Sequence, residues 1–228
     1  MENKRYYELT DETIEFDGHV LHRIICTKKF NGISKGAYGG FIEGYENLRG
    51  EAWVGDKAKV YDGAFVGGQA FVLDNACVSH YAYISDRAVV RDNASVSGKG
   101  VFIGGNAVIC DSAAIRPANA YPVYIRGCGA KIGGDVVIGS NRDYIVFKNW
   151  WSSGRYFTWT RSNDMWSVGC FYGTGKELVS KAYKDSEVSG REYERVVKYV
   201  ESIKKADKPT ISKRLKKLFF TIYDLCIN

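Results

Sequence analysis

Proline and histidine are both scarce, with three of each in 228 residues. So few prolines beside 25 glycines point to repeated tight turns rather than long loops. Pairing is also absent among the cysteines. Cys26, Cys77, Cys110, Cys128, Cys170 and Cys226 are scattered and form no C-x-x-C pair, which excludes a disulfide framework and a zinc ribbon. They read as reduced thiols of a cytoplasmic protein. The opening Met1-Glu2-Asn3-Lys4 lacks the apolar core of a signal peptide, and no run is long and apolar enough to span a membrane. Charge of one sign does not dominate. Much of the net +6 lies in Lys213, Arg214, Lys216 and Lys217, so it is a local feature. An apolar fraction of 45% is that of an ordinary globular chain, and the length suits one large or two small domains.

What is present is a repeat. From residue 51 the chain reads EAWVGD, KAKVYD, GAFVGG, QAFVLD, NACVSH, YAYISD, RAVVRD, NASVSG. GGFIEG and YENLRG at 39–50 fit the same register more loosely. KGVFIG is expected to continue it with Gly100 and Phe102 inward, followed by one extra residue at Gly105, then NAVICD and SAAIRP. After an irregular piece, PVYIRG, GAKIGG and DVVIGS complete the run to Ser140. Alanine and the β-branched residue stand two apart, so both face one side of a short strand. The β-branched residue favours extended backbone, and Asp, Asn or Gly at the sixth position tolerates the left-handed conformation of a sharp corner. Each such turn of chain buries its apolar face only by stacking on its neighbours.

Residues 39–140 resemble the hexapeptide-repeat proteins. The resemblance implies a triangular left-handed parallel β-helix with three hexads per coil. Every third hexad then stacks, and the outward residue between Ala and Val forms ladders. One side carries Trp53, Phe71, Val89 and Val108; a second carries Phe65, Tyr83, Val101 and Tyr124; the third carries Lys59, Cys77, Ser95 and Ala114. Two outer sides are expected to be apolar, covered either by other subunits or by this chain's own flanks. Trp53, Phe65, Phe71, Tyr83, Val89 and Val101 are the candidate interface residues of a homotrimer.

The flanks differ in pattern. Residues 6–24 read as strands around an Asp17-Gly18 turn that plugs the open solenoid end. Tyr144 to Phe147 reads as a strand, and Arg155–Arg161 with Met165–Phe171 as a hairpin around Ser162-Asn163-Asp164. Thr174-Gly175-Lys176-Glu177 and Ser189-Gly190-Arg191-Glu192 have the form of capping boxes opening two helices. The expected organisation is mainly β: a hairpin cap at 1–38, a β-helix at 39–143, a small α+β domain at 144–206, and a basic amphipathic helix at 207–228. The N-terminal stretch, GAYGGFIEGYENL (36–48) and GCFYGT (169–174) together resemble a narrower group, the β-helix proteins of unknown function of phages and prophages, in the style of the YdcK-like proteins. This resemblance covers most of residues 6–203 and implies a phage or prophage origin with no settled activity. Such proteins often carry a histidine where this chain has Lys184-Asp185-Ser186.

Three chemistries are open to such a chain. Hexapeptide-repeat acyltransferases use coenzyme A and a histidine base. Only His80 lies within the repeats, at a corner position where histidine also serves simply as a tolerant turn residue. Carbonic anhydrases of this fold need three histidines for zinc; His19 and His22 lie in the hairpin, so no metal site is expected. The third chemistry is binding. Lys148, Trp150, Trp151, Arg155, Trp159, Arg161 and Trp166 interleave aromatics with cations and suit stacking on a nucleotide-like ligand, although a small domain also spends aromatics on its own core. The basic C-terminal segment offers only a weak case for nucleic acid. The expectation is a cytoplasmic, non-catalytic binding or scaffold protein without a cofactor, acting on a host protein or nucleotide ligand of a defence system; acyl transfer is the alternative.

Overall fold

Short extended segments alternate with tight corners from Tyr38 to Ile138. The computed structural model describes residues 5–127 and 129–206; the basic segment expected at 207–228 lies outside the described residues. Two compact units are present, Met1–Gly175 and Lys176–Asn228.

In the first unit the corners are made by aspartate. Asp56, Asp62, Asp74, Asp86, Asp92 and Asp111 hold φ between 50 and 60°, the left-handed region that short polar side chains tolerate. Between corners the chain pairs in parallel with residues 18 further on: Trp53 with Phe71, Lys59 with Cys77, Phe65 with Tyr83. The result is a solenoid of about five turns with three sheet sides. Alanines and β-branched residues, among them Ala70, Val72, Ala88 and Val90, fill its interior and are fully buried. Each buried Val or Ile contributes roughly 1.5–3 kcal/mol relative to exposure, and the narrow core leaves room for only a small and a medium residue per side.

One register expectation is corrected. Ser79 pairs with Ser97, 18 residues on, but Tyr83 pairs with Phe102, 19 residues on. The extra residue therefore sits in the corner Gly98-Lys99-Gly100, not at Gly105. Two glycines at φ 116 and 93° let the corner absorb it, in conformations strained for any other residue. Val101 consequently points inward and is fully buried, and Phe102 takes the outward place.

Both solenoid ends are closed. Strands β1 (Tyr7–Phe16) and β2 (His19–Cys26) form the expected hairpin. Strand β2 pairs antiparallel with β3 (Tyr38–Ile42), the first strand of the side that continues through Lys59–Val60. The open edge of that side is thus hydrogen-bonded. Glycine is required in β3, because a Cβ on Gly39 would lie 2.5 Å from Ile24 and from the Val54 carbonyl. At the other end, backbone amides of the last coil are met by side-chain oxygens. Tyr124 N–H donates to Asn141 Oδ1 (2.7 Å), Lys131 N–H to Thr158 Oγ1 (3.2 Å) and Val137 N–H to Ser162 Oγ (2.9 Å). These bonds give one amide of each side's last strand a partner within the chain, which blunts the edge against pairing with another chain.

Thr158 lies in, and Ser162 in a turn of, a four-stranded antiparallel sheet of Tyr144–Lys148, Tyr156–Thr160, Met165–Val168 and Phe171–Gly173. The expected hairpin turn at 162–164 is present, with Asp164 at φ 54°. The segment read as one strand to Phe171 is two strands folded at Gly169, whose φ is 58°.

The second unit holds helices α1 (Gly175–Asp185) and α2 (Glu187–Ala206). Helix α2 starts earlier than the motif at 189–192 implied. Ser186 Oγ accepts the Ser189 N–H at 3.1 Å, so Ser186 is the cap. Gly190 then falls inside the helix, where the ring of Tyr183 occupies the space a Cβ would need. No helix among the described residues is long and apolar enough to cross a membrane.

Candidate functional site

The three outer sides of the solenoid carry different chemistry. On the side built from Phe65–Val66, Tyr83–Ile84, Val101–Ile103 and Val123–Ile125, the outward residues are Phe65, Tyr83, Phe102 and Tyr124. Their ring centroids follow one another at 4.8, 6.0 and 5.1 Å. Phe65 and Tyr83 are inclined by only 17°, Phe102 and Tyr124 by 14°. Within each of these two pairs the rings turn their faces to each other, while Tyr83 and Phe102 are tilted by 48°. Arginines close the row: Arg49 lies 6.0 Å from the Phe65 centroid, and Arg126 lies 5.5 and 5.7 Å from those of Phe102 and Tyr124. Tyr83 and Tyr124 are exposed, as are Tyr81 and Tyr121. This ribbed aromatic side is the candidate functional site. Ring faces already used within the stack are not available for a flat base; ring edges suit packing against another protein surface.

The side bearing Trp53, Phe71, Val89 and Val108 is less bare than its sequence suggested. Trp53 is 3% exposed, with the ring of Phe30 edge-on at 5.9 Å. The chain's own N-terminal segment covers this first rung. Phe71, Val89 and Val108 are half-buried, and Lys131 continues the row. Of the six interface candidates, Phe65, Phe71, Tyr83 and Val89 lie on the outer surface, while Trp53 and Val101 are buried. Phe102 was missed because the glycine corner hid the true register.

The third side is partly covered by the hairpin. Leu21, Phe41 and Tyr61 form a separate buried cluster, with Ile14 and Cys77 packed against it. His19 Nδ1 lies 2.8 Å from Glu43 Oε1, and Glu43 Oε2 accepts the Asp62 N–H at 2.7 Å. No sequence spacing announced this contact, which arises only when β2 folds along β3.

His80 occupies the corner where aspartate stands elsewhere, at φ 54°. Its Nδ1 is 2.8 Å from Ser79 Oγ and its Nε2 is 3.5 Å from Asp62 Oδ2. Serine, imidazole and carboxylate in sequence are the parts of an activated nucleophile. Yet Ser79 is buried and its hydroxyl also meets Tyr61, so the oxygen faces the protein. His80→Asn is expected to leave the melting temperature within about 3 °C of wild type, since asparagine tolerates the same corner. Loss of biological effect with an unchanged melting curve would restore the acyltransferase alternative.

The cation–aromatic set of the terminal sheet divides in two. Trp159 and Trp166 are cross-strand partners and are buried. Trp159 Nε1 donates to Asp164 Oδ1 at 2.8 Å, and Trp166 packs with Phe147 and Phe157. These two are core, because alternate residues of a pleated sheet share a face. Trp150 is exposed, and Trp151 is half-buried between Trp150 and Phe157, its ring 6.1 Å from each. Arg161 stands 5.5 Å from the Trp159 centroid and Lys148 5.9 Å from that of Tyr156; Arg155 is exposed.

Among the described residues, ligand atoms of Asp92, Cys110 and Asp111 lie within 4.8 Å of one another. They belong to the corner ladder: Asp92 Oδ2 accepts the Asp111 N–H at 3.0 Å and Asp111 Oδ2 the Gly134 N–H at 2.8 Å. Burial pushes the Cys110 thiol up to about 11. No family model matches the chain, and no curated protein matches it in sequence.

Proposed function

We propose that this chain is a non-catalytic binding or scaffold protein of phage or prophage type, a left-handed β-helix of hexapeptide repeats. It assembles as a homotrimer through its aromatic side and engages a host defence factor in the host cytoplasm. The observation that carries the binding reading is the outward row Phe65, Tyr83, Phe102 and Tyr124, of which the two tyrosines are exposed and the two phenylalanines half-buried. Outward aromatics stacked over successive coils form a patch that soluble chains normally cover. The 18-residue coil fits three six-residue sides, which supports the hexapeptide reading. In a closed ring each chain donates one side and accepts on another, and the adjacent half-buried side of Phe71, Val89 and Val108 is the acceptor. The phage and host element rests on the resemblance of residues 6–203 to phage and prophage β-helix proteins.

Glutamates at the contact test the assembly. Tyr83→Glu with Phe102→Glu and Phe71→Glu leave the inward Ala and Val residues untouched. Light scattering is expected to show a particle of about one third the wild-type mass, because unpaired charges in an apolar contact cost several kcal/mol each; circular dichroism is expected to remain that of a β-protein. A wild-type protein that is already monomeric overturns the trimer. The host element predicts a specific protein that co-purifies with wild type from an infected host.

A further inference from the structure

We infer that the tip of the β1–β2 hairpin is a pH-latched flap lying over Tyr61 and the Cys77 thiol on the outer surface of the first coils. Strand β2 pairs with β3 only as far as the His22–Ile42 rung. Beyond that rung the hairpin leaves the sheet edge. Leu21 turns onto the outer face and becomes fully buried against Phe41 and Tyr61, with Ile14 and Cys77 alongside. The tip is therefore a short overhang, continuous with the cap but not hydrogen-bonded along its length to the solenoid.

Few contacts hold it down. His19 Nδ1 meets Glu43 Oε1 at 2.8 Å, and Glu43 is itself fixed by the Asp62 amide. The Tyr61 hydroxyl donates to Asp17 Oδ2 at 3.0 Å. Phe16 packs edge-on to Tyr61 at 5.7 Å, with Lys59 Nζ 4.7 Å from its ring centroid. Around His19 stand Glu43, Asp17, Asp62 and the Tyr61 ring, the last 5.1 Å away; His80 faces Asp62 from the next coil. Further back, Arg23 pairs with Glu12 and the His22 ring meets the Thr10 carbonyl. Of the groups on the latch, His19 and Glu43 form the ion pair that joins the tip to the solenoid.

The direction of each follows from the pair. The hydrogen bond to Glu43 raises His19 above its ordinary 6.5. The same bond lowers Glu43 below its ordinary 4.5. A raised histidine contributes fully below its unfolded value, and its contribution is lost as pH rises through the folded value. A lowered carboxylate contributes above its unfolded value, and its contribution is lost as pH falls through the folded value. The latch is thus strongest from about 4.5 to 6.5 and loosens on the alkaline side as His19 gives up its proton. Neutral imidazole can keep a hydrogen bond to the Glu43 carboxylate, but the attraction between opposite charges is lost.

Cys77 reports on the flap, because it packs under the tip and lies 3.8 Å from the Tyr61 hydroxyl. Alkylation with a maleimide, resolved by peptide mass mapping, is compared between wild type and His19→Ala at each pH. At pH 6 Cys77 is expected to react several-fold more slowly in wild type; near pH 9 the difference is expected to shrink, because only the neutral hydrogen bond to Glu43 then remains. Cys110, fully buried in the solenoid, is expected to stay unreactive throughout. Equal rates at pH 6, a ratio that does not change with pH, or Cys110 reacting in step with Cys77 overturns the flap. Should His19→Ala not fold, Glu43→Gln removes the other charge and is held to the same outcomes.

Discussion

Replacing Val72 with aspartate is expected to abolish folded protein. Val72 is fully buried between Val54 and Val90 of the coils on either side. A carboxylate there finds no donor, since the backbone amides around it are committed to the coil ladder: Gly55 N–H to the Val72 carbonyl and Leu73 N–H to the Val90 carbonyl. Burying it unpaired costs on the order of 4 kcal/mol or more, a large share of the roughly 5–15 kcal/mol that stabilises an ordinary domain. A solenoid adds to the effect, because each coil buries its neighbours' apolar faces and a failed coil exposes two others. Ser95→Asp is the control. Ser95 sits outward and exposed between Cys77 and Ala114, and the change is expected to stay within about 0.5 kcal/mol. Urea denaturation of both variants checks the pair; a folded Val72→Asp with the midpoint of Ser95→Asp would show that the inward assignment of Val72 is wrong.

Trp159→Ala is expected to destabilise the terminal sheet by about 3–5 kcal/mol. The side chain is fully buried, and its indole N–H is satisfied by Asp164, so truncation removes packing and a hydrogen bond together. Trp150→Ala, at a position 75% exposed, is expected to change stability by less than about 0.5 kcal/mol. Thermal denaturation separates the two. If both tryptophans proved equally dispensable for stability, Trp159 would have to be reassigned from core to ligand binding. The terminal sheet also supplies Thr158 and Ser162 to the last coil, so its loss is expected to leave amides of that coil unpaired and to promote aggregation.

Legibility in the sequence followed the range of the physics. The inward Ala and Val positions and the aspartate corners are local: a two-residue spacing and a left-handed φ are decided within one hexad, and both are visible as letters. Helix α1 was legible for the same reason. The α2 start differs because two serines three residues apart, Ser186 and Ser189, can each cap the helix, and Ser186 Oγ takes the Ser189 N–H. At Val101 and Phe102 the difficulty was different. An extra residue fits equally well before or after the strand as far as spacing is concerned, and only the pairing of Tyr83 with Phe102 decides between them.

The candidate site depended most on tertiary structure. A ladder of outward aromatics can be written down once a coil length is assumed, yet exposure cannot. Trp53 and Tyr83 occupy the same outward place in their hexads, but Phe30 covers one and nothing within the described chain covers the other to that degree. Likewise Trp150 and Trp159 are equivalent as letters beside cations, but Trp159 lies in a strand opposite Trp166 and is core, while Trp150 lies in the turn after Lys148 and is surface. The His19–Glu43 contact joins residues 24 apart through the hairpin's path over the first side. By itself, then, the sequence determined the repeating strand, the corner and the buried small-and-branched interior, because these depend on backbone preference and spacing. Only the tertiary structure decided which outward residues remain surface, because that depends on where the flanking segments lie, and the repeat pattern carries no information about their path.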